Sequence, residues 1–373
     1  MRPDVAIIGG GVIGCATAYY LARHGVSVVL LERGRVGEQA SGASAGMLAP
    51  VAEAKRPGQF LDLVVAALRD YPTAVADIEQ ASGLSTGYVL RSILRVAFSA
   101  EDEAKFLHAV PMYEMAGLPY QRLTGDEARK EEPALSEGCV SAILSPEEGQ
   151  VLPRQLVQAY RRAAERLGVR VLENTEVTDI VTDGDRVTGV RTLSDTIAAG
   201  AVVIAAGAWS NRFEPRLCAP IPVFPVRGQI VAVKGMPIPV SHVLYSYGGY
   251  AVPWPDGRLL LGATQEVAGY VPHTTVEGVQ QVLAGGIRLV PGVTGAEIDE
   301  VWAGLRPGDT DALPMLGLAP GWQNAWLATG HFRNGILLGP YTARLLAQSI
   351  VDGKLADGIA AFNPDRQYVP AVL

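Results

Sequence analysis

Apolar residues at the start of the chain predict a buried strand that turns into a helix. Residues 5–8 are wholly apolar, and the glycines that follow, Gly9, Gly11 and Gly14, have the spacing G-x-G-x-x-G. Helical character continues over residues 16–23. Such a turn lets the pyrophosphate of a dinucleotide approach bare backbone at a helix N-terminus, where unpaired N–H groups carry partial positive charge. Because this spacing also occurs by chance, the neighbouring elements have to support the interpretation.

A second apolar run with an acidic end supports it. Residues 26–31 predict a buried parallel strand, and Glu32 follows at its carboxyl end. A carboxylate in this place accepts both hydroxyls of a ribose and repels the 2′-phosphate of NADP, which leaves FAD or NAD as the cofactor. The alternative is that Glu32 is only a solvated charge after a strand.

Beyond Glu32 the chain departs from the pattern of an NAD domain, which would continue directly with alternating helices and strands. Residues 39–46 are small almost throughout and lead into Met47 and Leu48. Small side chains let backbone lie close against a flat cofactor or over its pyrophosphate. The alternative interpretation of this segment is a plain flexible loop without a ligand. We expect contact with the cofactor.

The pattern in the rest of the chain alternates between two kinds of region. Periodicity predicts a helix at 60–81; a charged helix at 101–116 then lies between strands at 89–99 and 137–144, which indicates a separate α+β region. Further predicted elements are a helix at 154–167, a strand at 169–172, a β-meander from Glu173, a strand at 202–210, a strand-rich region at 223–264, a helix at 275–289, a strand at 296–302 and a long helix that begins at Asn334 or Gly335.

These elements predict an α/β fold, in which a Rossmann-type cofactor domain is interleaved with an α+β domain that carries a large antiparallel sheet. The cofactor domain is predicted at 1–85, 150–220 and 300–373, and the substrate-binding domain at 86–149 and 221–299.

Composition narrows the class of protein. The 373 residues are 49% hydrophobic and carry a net charge of -7, which gives no support to nucleic-acid or anionic-membrane binding. The uncharged stretch 5–22 contains too many glycines for a membrane span and lacks a signal-peptide cleavage site, so we expect a soluble cytoplasmic protein. Cys15, Cys139 and Cys218 are too widely separated for a disulfide framework or a zinc site, and no metal is expected.

Four motifs carry a family resemblance. They are the glycine turn at 7–14, Ser-Ala-Gly-Met-Leu at 44–48, Trp-Ala-Gly-Leu-Arg-Pro-Gly at 302–308 and Gly-His-Phe-Arg-Asn-Gly-Ile-Leu-Leu at 330–338. Together they make the chain resemble the D-amino-acid oxidase family of flavoproteins, and within it the glycine oxidases of thiamine biosynthesis. The last two motifs are the more specific, because no nucleotide-binding fold requires them. The resemblance spans essentially the whole chain and implies FAD, covered by the antiparallel sheet.

The resemblance implies three residues in the substrate site. Arg306 corresponds to the arginine that holds the substrate carboxylate, for which its planar fork provides two parallel hydrogen bonds that a lysine could not. Tyr250 corresponds to the tyrosine whose hydroxyl binds the same carboxylate. Arg333 lies beside the flavin, with its backbone facing the substrate amine.

The resemblance also implies FAD contacts. Gly335 and Ile336 would bring amides to the flavin pyrimidine oxygen, and Val177 would contact the adenine edge. The full implied set is Gly9, Gly11, Val12, Ile13, Gly14, Glu32, Arg33, Ser41, Ser44, Ala45, Gly46, Met47, Leu48, Val177, Ala206, Gly207, Trp209, Arg306, His331, Arg333, Asn334, Gly335 and Ile336.

Several of these residues have alternative interpretations. Arg306, in a Leu-Arg-Pro-Gly turn after a strand, could be a surface salt-bridge former, although a turn behind a buried tryptophan is poorly placed for that. Strand alternation puts Tyr245 and Tyr247 on the face opposite Tyr250, which leaves open which tyrosine meets the ligand. His331 is expected to be structural, since the family's oxidation needs no protein base.

The sequence departs from the family at Gln265 and Glu266, where an apolar side chain is usual beside a small substrate. If the side chain of Gln265 faces the pocket, it disfavours large apolar D-amino acids; otherwise we expect specificity to lie in the loop 47–51.

The implied reaction is oxidation of an amine next to a carboxylate, with hydride transfer to flavin N5. The imine is hydrolysed to a 2-oxo acid and ammonia, and oxygen is reduced to hydrogen peroxide. The rivals are a sarcosine or secondary-amine oxidase, a D-amino-acid dehydrogenase, and a flavin-binding partner without oxidase activity. Sarcosine oxidases often bind flavin through a cysteine in the C-terminal half; since no cysteine follows Cys218, we expect noncovalent FAD. We also expect a homo-oligomer.

Overall fold

The computed structural model describes residues 2–54 and 56–366 and confirms the predicted fold class. A six-stranded sheet, here called the parallel sheet, contains the glycine turn. Only its edge strand Met315–Leu318 runs antiparallel. Its strands, in spatial order, are Met315–Leu318, Ala325–Thr329, Ala201–Ile204, Val5–Ile8, Val28–Leu31 and Arg170–Leu172.

Four helices form a packed layer that shares a core with the parallel sheet. They are Val12–Arg23, Gln59–Ser82, Pro153–Arg166 and Gly335–Asp352. The second of these confirms the helix predicted at 60–81, and Gly83 ends it in the left-handed conformation that favours glycine. A second apolar cluster joins the sheet to a three-stranded meander of Val177–Asp183, Arg186–Thr192 and Thr196–Ala198.

An eight-stranded sheet, here called the large sheet, forms the other half of the molecule. All neighbouring strands pair antiparallel except Val243–Ser246 and Ile93–Ala97, which run parallel. The helix Val276–Leu289 packs against it. Its strands, in spatial order, are Glu297–Asp309, Val223–Lys234, Leu259–Gly262, Gly249–Pro253, Val243–Ser246, Ile93–Ala97, Ser141–Ser145 and Gln121–Thr124.

Short elements complete the described chain. A three-stranded sheet consists of Met47–Leu48, Gly149–Gln150 and Val89–Leu90, and its first strand follows directly after residues 39–46. The remaining elements are the helices Pro50–Glu53, Ala100–Leu107, Val110–Ala116, Gly125–Glu131 and Glu214–Leu217 and the 3-10 helices Gly207–Phe213, Pro291–Gly295, Phe332–Asn334 and Asp357–Phe362. Among residues 2–54 and 56–366, no helix combines the length and apolar character needed to cross a bilayer.

Several predicted elements were wrong in extent. The strand predicted at 202–210 ends at Ile204, and Gly207–Phe213 is a 3-10 helix. The strand predicted at 89–99 is two strands, Val89–Leu90 and Ile93–Ala97. The strand predicted at 296–302 continues to Asp309, so Arg306 lies within a strand and not in a turn. Pro307 is tolerated there because this strand is at the edge of the large sheet, where a missing N–H breaks no outer ladder. The charged helix predicted at 101–116 is two helices, and the second begins with Pro111 in its first turn, where proline's missing N–H costs nothing.

Both sheets draw strands from separate parts of the chain, as the interleaved fold requires. The strand Glu297–Asp309 pairs along its length with Val223–Lys234 and so belongs to the large sheet, although it crosses the predicted domain boundary at residue 300. The exact domain boundaries stay predictions.

Candidate functional site

A deep cavity runs between the parallel sheet and the large sheet. Most of the residues proposed from the sequence line it, although they come from segments far apart in the chain. Those that line it are Gly9, Gly11, Val12, Ile13, Glu32, Arg33, Ser41, Ser44, Ala45, Gly46, Met47, Val177, Ala206, Gly207, Trp209, Tyr250, Arg306, His331, Arg333, Asn334, Gly335 and Ile336.

Gly14 and Leu48 do not line this cavity. A Cβ built on Gly14 would overlap the carbonyl oxygen of Gly9, so Gly14 serves the close packing of helix against turn. Leu48 is fully buried in the core beside the helices, because the strand Met47–Leu48 alternates and sends the neighbouring Met47 to the cavity. The Leu48 side chain therefore packs in the core, and a contact of this residue with FAD stays a prediction.

The glycine turn presents backbone to the cavity. Gly9 has a φ of 110°, and a Cβ there would overlap the carbonyl oxygen of Ala205, which directly follows the neighbouring strand Ala201–Ile204. Gly11 caps the helix Val12–Arg23 without a side-chain hydrogen bond of its own, and Ser41 accepts from the Val12 N–H at 3.0 Å. The N-terminus of this helix therefore faces the cavity next to residues 39–46.

Glu32 is held in a fixed orientation at the end of its strand. Its side chain is buried, and its two oxygens accept from the backbone N–H of Gly10 at 2.7 Å and of Gly34 at 2.9 Å. A carboxylate has about four lone-pair positions, so two hydrogen bonds leave capacity for the hydroxyls of a ribose. This geometry disfavours the interpretation of Glu32 as a solvated charge.

Stacked side chains form the wall near Glu32. The guanidinium of Arg33 lies 3.6 Å from the ring centroid of Trp209. The ring of Tyr270 packs on the ring of Trp209, with 5.7 Å between the two ring centroids, and the Tyr270 hydroxyl donates to the carbonyl of Ala208 at 3.1 Å. The loop of the large sheet that carries Tyr270 thus docks on the cofactor domain at this end.

Residues 39–46, here called the small-residue loop, lie between the two sheets. A Cβ at Gly46, whose φ is 87°, would overlap the carbonyl oxygen of Val151. Two indole N–H groups from the large sheet donate to the loop backbone: Trp302 to the Ala43 carbonyl at 3.1 Å and Trp254 to the Ala45 carbonyl at 3.2 Å. Trp302 therefore binds the loop through its indole N–H while its ring packs against an apolar cluster of the large sheet.

Arg306 and Tyr250 meet at the large-sheet end of the cavity, and each lies over a glycine. A Cβ at Gly228 would overlap the Arg306 guanidinium, and one at Gly262 would overlap the Tyr250 hydroxyl. Nη1 of Arg306 donates to the carbonyl of Thr264 at 3.1 Å. Both side chains are thus supported in one place, which argues against a surface role for Arg306.

Electrostatics keep Tyr250 a hydrogen-bond donor. Burial raises the pKa of the Tyr250 hydroxyl above its usual value, against the opposing charges of Arg306 and Arg333. At neutral pH the phenol is therefore protonated and able to donate to an anionic group held by Arg306.

The expectation that Tyr245 faces away from Tyr250 was wrong. The two tyrosines lie on adjacent antiparallel strands joined by a turn and are direct cross-strand partners, so both face the cavity. Side-chain alternation along a single strand does not relate these two tyrosines, because the chain reverses direction in a turn between Ser246 and Gly249. Tyr247 lies in that turn and is half exposed, stacked 4.7 Å from the ring of Phe106.

Gln265 is exposed and does not line the cavity, which contradicts its expected place beside the substrate. Its neighbour Glu266 is bound to Arg227 and accepts from Gln229 Nε2 at 2.8 Å. That ion pair holds the backbone of the loop and turns Gln265 outward. Residues 47–51, predicted as a loop, are the strand Met47–Leu48, Ala49 and the start of the helix Pro50–Glu53. Of these residues, Met47 and Ala49 line the cavity.

His331 has the environment of a structural residue. It is 3% exposed, its Nε2 lies 3.3 Å from Oγ1 of Thr342, and burial lowers its pKa to about 3. A histidine with so low a pKa is too weak a base to take a proton from an amine.

One polar feature was missed in the sequence. Arg95 lines the cavity and makes a two-pronged ion pair with Glu148, at 2.8 and 2.9 Å, and both side chains are almost fully buried. An arginine in the middle of the apolar strand Ile93–Ala97 was the available signal, because an unpaired charge is almost never fully buried.

In residues 2–54 and 56–366, no group of three or more His, Cys, Asp or Glu is placed to hold a metal ion. Cys15 and Cys139 are buried, Cys218 is exposed, and none of the three lines the cavity.

Comparison with known proteins agrees with this geometry. The model of the family described as DAO, FAD dependent oxidoreductase, matches residues 4–349. The glycine oxidase of Geobacillus kaustophilus (strain HTA426) is 35% identical over 368 residues, which cover 98% of this chain and 97% of that protein. A crystal structure of glycine oxidase from Geobacillus kaustophilus has a TM-score of 0.94 and covers 99% of this chain and 100% of that one, at 35% identity.

A relative of different length is the bifunctional protein ThiO/ThiG of Synechocystis sp. (strain ATCC 27184 / PCC 6803 / Kazusa), which is 39% identical over 370 residues. This chain spans 54% of that protein's length. The full-length family match and these identities confirm the resemblance inferred from the four motifs. The chain belongs to the DAO family of FAD-dependent oxidoreductases.

Proposed function

We propose that this protein oxidises glycine, or another small amino acid or amine, with FAD as its cofactor and oxygen as its acceptor, in thiamine biosynthesis. The observation that carries the proposal is the pairing of Arg306 and Tyr250 over two glycines at one end of the cavity. The names of the glycine oxidase and ThiO/ThiG relatives support the substrate and the pathway.

The residues present fit an FAD. The glycines at 9 and 11 leave the turn without side-chain obstruction, Glu32 offers lone pairs for a ribose, and the small-residue loop leaves room for a flat molecule. Asn334 caps the helix Gly335–Asp352, whose N-terminus also opens on the cavity. When bound, FAD accepts the two electrons that the substrate loses.

The side chains of the protein provide position and charge. Arg306 binds the substrate carboxylate through its fork, and Tyr250 donates its hydroxyl to the same group, which leaves the amine and Cα towards the cofactor. His331 takes no proton, because its pKa is far below neutrality. Overall, glycine, water and oxygen give glyoxylate, ammonia and hydrogen peroxide.

We expect FAD to be noncovalent, because none of the three cysteines reaches the cavity. Precipitation of the yellow protein with acid should leave the flavin in solution; colour retained in the pellet would contradict this. The cytoplasmic location and homo-oligomeric state stay predictions, which cell fractionation and light scattering would test.

The decisive experiment is anaerobic bleaching of the flavin with glycine, sarcosine and D-alanine, each alone. Glycine should bleach it fastest, and readmitted oxygen should restore the colour with one peroxide formed per flavin. Faster bleaching by sarcosine would favour a secondary-amine oxidase. A flavin that bleaches but is not reoxidised by oxygen would favour a dehydrogenase, and no bleaching by any amine would favour a flavin-binding partner.

A further inference from the structure

The small-residue loop has few side chains with which to hold its own conformation. Its residues are mainly alanine, serine and glycine, so an isolated segment of this composition would be flexible. The two indole donors from the large sheet, Trp302 to the Ala43 carbonyl and Trp254 to the Ala45 carbonyl, supply directed contacts from outside the loop.

Trp302 lies in the strand that carries Arg306, and Trp254 is the first residue after the strand that carries Tyr250. Trp302 precedes Arg306 by four positions, and Trp254 follows Tyr250 by four. Because side chains alternate along a strand, Trp302 and Arg306 face the same side of the large sheet, about 13 Å from each other. Both tryptophans pack against one apolar cluster that includes Ala45 and Ile230.

Gly304 lies between Trp302 and Arg306 on the same face of the edge strand, and it allows the loop to approach. A Cβ built on Gly304 would lie 2.5 Å from the Cβ of Ala43, whereas ordinary contacts begin near 3.4 Å. One strand face therefore carries, in order, an indole that binds the loop, a glycine against the loop and the arginine that faces the substrate end.

We propose that Trp254 and Trp302 are positioning residues for FAD: they hold the small-residue loop in its cofactor-binding conformation and at a set distance from Arg306 and Tyr250. A loop ordered before FAD arrives loses less conformational entropy on binding, so the indole bonds strengthen FAD binding without touching the substrate. The inference rests on the cofactor placement proposed above and extends it to residues outside the family motif of the loop.

The test is the affinity of the apoprotein for FAD, measured by flavin fluorescence quenching in the absence of substrate. Trp254→Phe and Trp302→Phe keep an aromatic ring and remove the indole N–H, and each should raise the Kd for FAD about three- to tenfold. The melting temperature is recorded separately, so that a general loss of stability is distinguished from a loss of cofactor affinity.

Trp322→Phe is the matched control. Trp322 is also partly buried, and its indole N–H also donates to a backbone carbonyl at 2.8 Å, but that carbonyl belongs to Leu217 and not to the small-residue loop. This variant should keep the wild-type Kd for FAD within about twofold, even where its melting temperature falls as much as those of the other two.

Gly304→Ala tests the same inference without removing a tryptophan. The added methyl pushes the loop away from the strand and should also raise the Kd for FAD, whereas Gly295→Ala, with open space around it, should not. Wild-type affinity in both Trp254→Phe and Trp302→Phe, or an equal loss in Trp322→Phe, would overturn the proposal. If Glu32→Ala weakens FAD binding while the tryptophan variants do not, only the positioning role fails; if none of these variants does, the cofactor placement fails as well.

Discussion

The two ends of the cavity are built from different chemical material. At the parallel-sheet end, the site is formed mainly by backbone. Gly9 and Gly14 permit contacts that a Cβ would block, and the carboxylate of Glu32 is held by backbone N–H groups. At the large-sheet end, glycines serve the opposite purpose, because Gly228 and Gly262 make room for the side chains of Arg306 and Tyr250.

This difference predicts how each end responds to substitution. A site made of backbone fails when a side chain is added, and the loss appears in cofactor binding and stability. A site made of side chains fails when a charge or a donor is removed, and the loss appears in substrate binding while the cofactor stays bound. Variants at each end should therefore separate FAD affinity from substrate turnover.

The largest expected effect is at Arg306. Arg306→Ala should lower kcat/KM for glycine by about 2–5 kcal/mol, or roughly thirtyfold to several thousandfold, because it removes the charged fork that binds the carboxylate. FAD affinity should change little. Arg306→Lys should recover only a small part, since a point charge cannot make two parallel bonds. Steady-state peroxide rates and fluorescence titration of FAD measure the two quantities, and an alanine variant with wild-type kcat/KM would falsify the assignment.

A pH-dependent effect is expected where the two halves meet. Asp309 ends the strand that carries Arg306, is fully buried, and lies against Gly330 of the parallel-sheet half. Burial, and next the carboxylate of Asp311, raise the pKa of Asp309 from 3.8 to about 6, against the charge of Arg366. The folded state thus holds this proton more tightly than the unfolded chain does, so stability is lost as pH rises from about 3.8 through about 6.

Asp309→Asn should therefore stabilise the protein by about 3 kcal/mol at pH 8 and by little at pH 4. Urea denaturation at both values measures the difference. Asp311→Asn is the control with the opposite sign, because Asp311 is paired with Arg366 at 2.9 Å and its loss should destabilise. A gain for Asp309→Asn that is equal at both pH values would contradict the assigned cause.

A smaller effect is expected from adding one methyl group at the cofactor end. Gly14→Ala should cost about 1–3 kcal/mol of stability, because the Cβ overlaps the Gly9 carbonyl and the helix must move. FAD affinity should fall with it, while KM for glycine in the FAD-saturated protein stays near wild type. Gly295→Ala, in open space, serves as the control; a variant that loses substrate affinity instead of FAD affinity would break the comparison.

The smallest effect is expected at Gln265. Its side chain is exposed, so Gln265→Met should leave the ratio of turnover efficiency between D-alanine and glycine within about twofold of wild type. Initial peroxide rates with both substrates measure this ratio. A larger shift would place Gln265 at the substrate after all; an unchanged ratio leaves specificity to residues 47–51.

Elements with local causes were predictable from the sequence. The glycine turn, Glu32 and the helix Gln59–Ser82 depend on spacing and periodicity within a few residues, so the pattern of apolar positions and glycines was sufficient. The motif around Arg306 predicted a residue that lines the cavity even though its turn was in fact a strand, because the residue type and its neighbours are local information as well.

Pairing between distant strands was decided only by the tertiary structure. The side of the sheet on which Tyr245 lies depends on a turn and a register, Arg306 became part of a strand because Val223–Lys234 pairs with it, and Gln265 points outward because Glu266 binds Arg227. The contacts of Trp254 and Trp302 with the small-residue loop join segments more than two hundred residues apart. Periodicity along a chain reports which face of an element is buried, but it contains no information on which element covers that face.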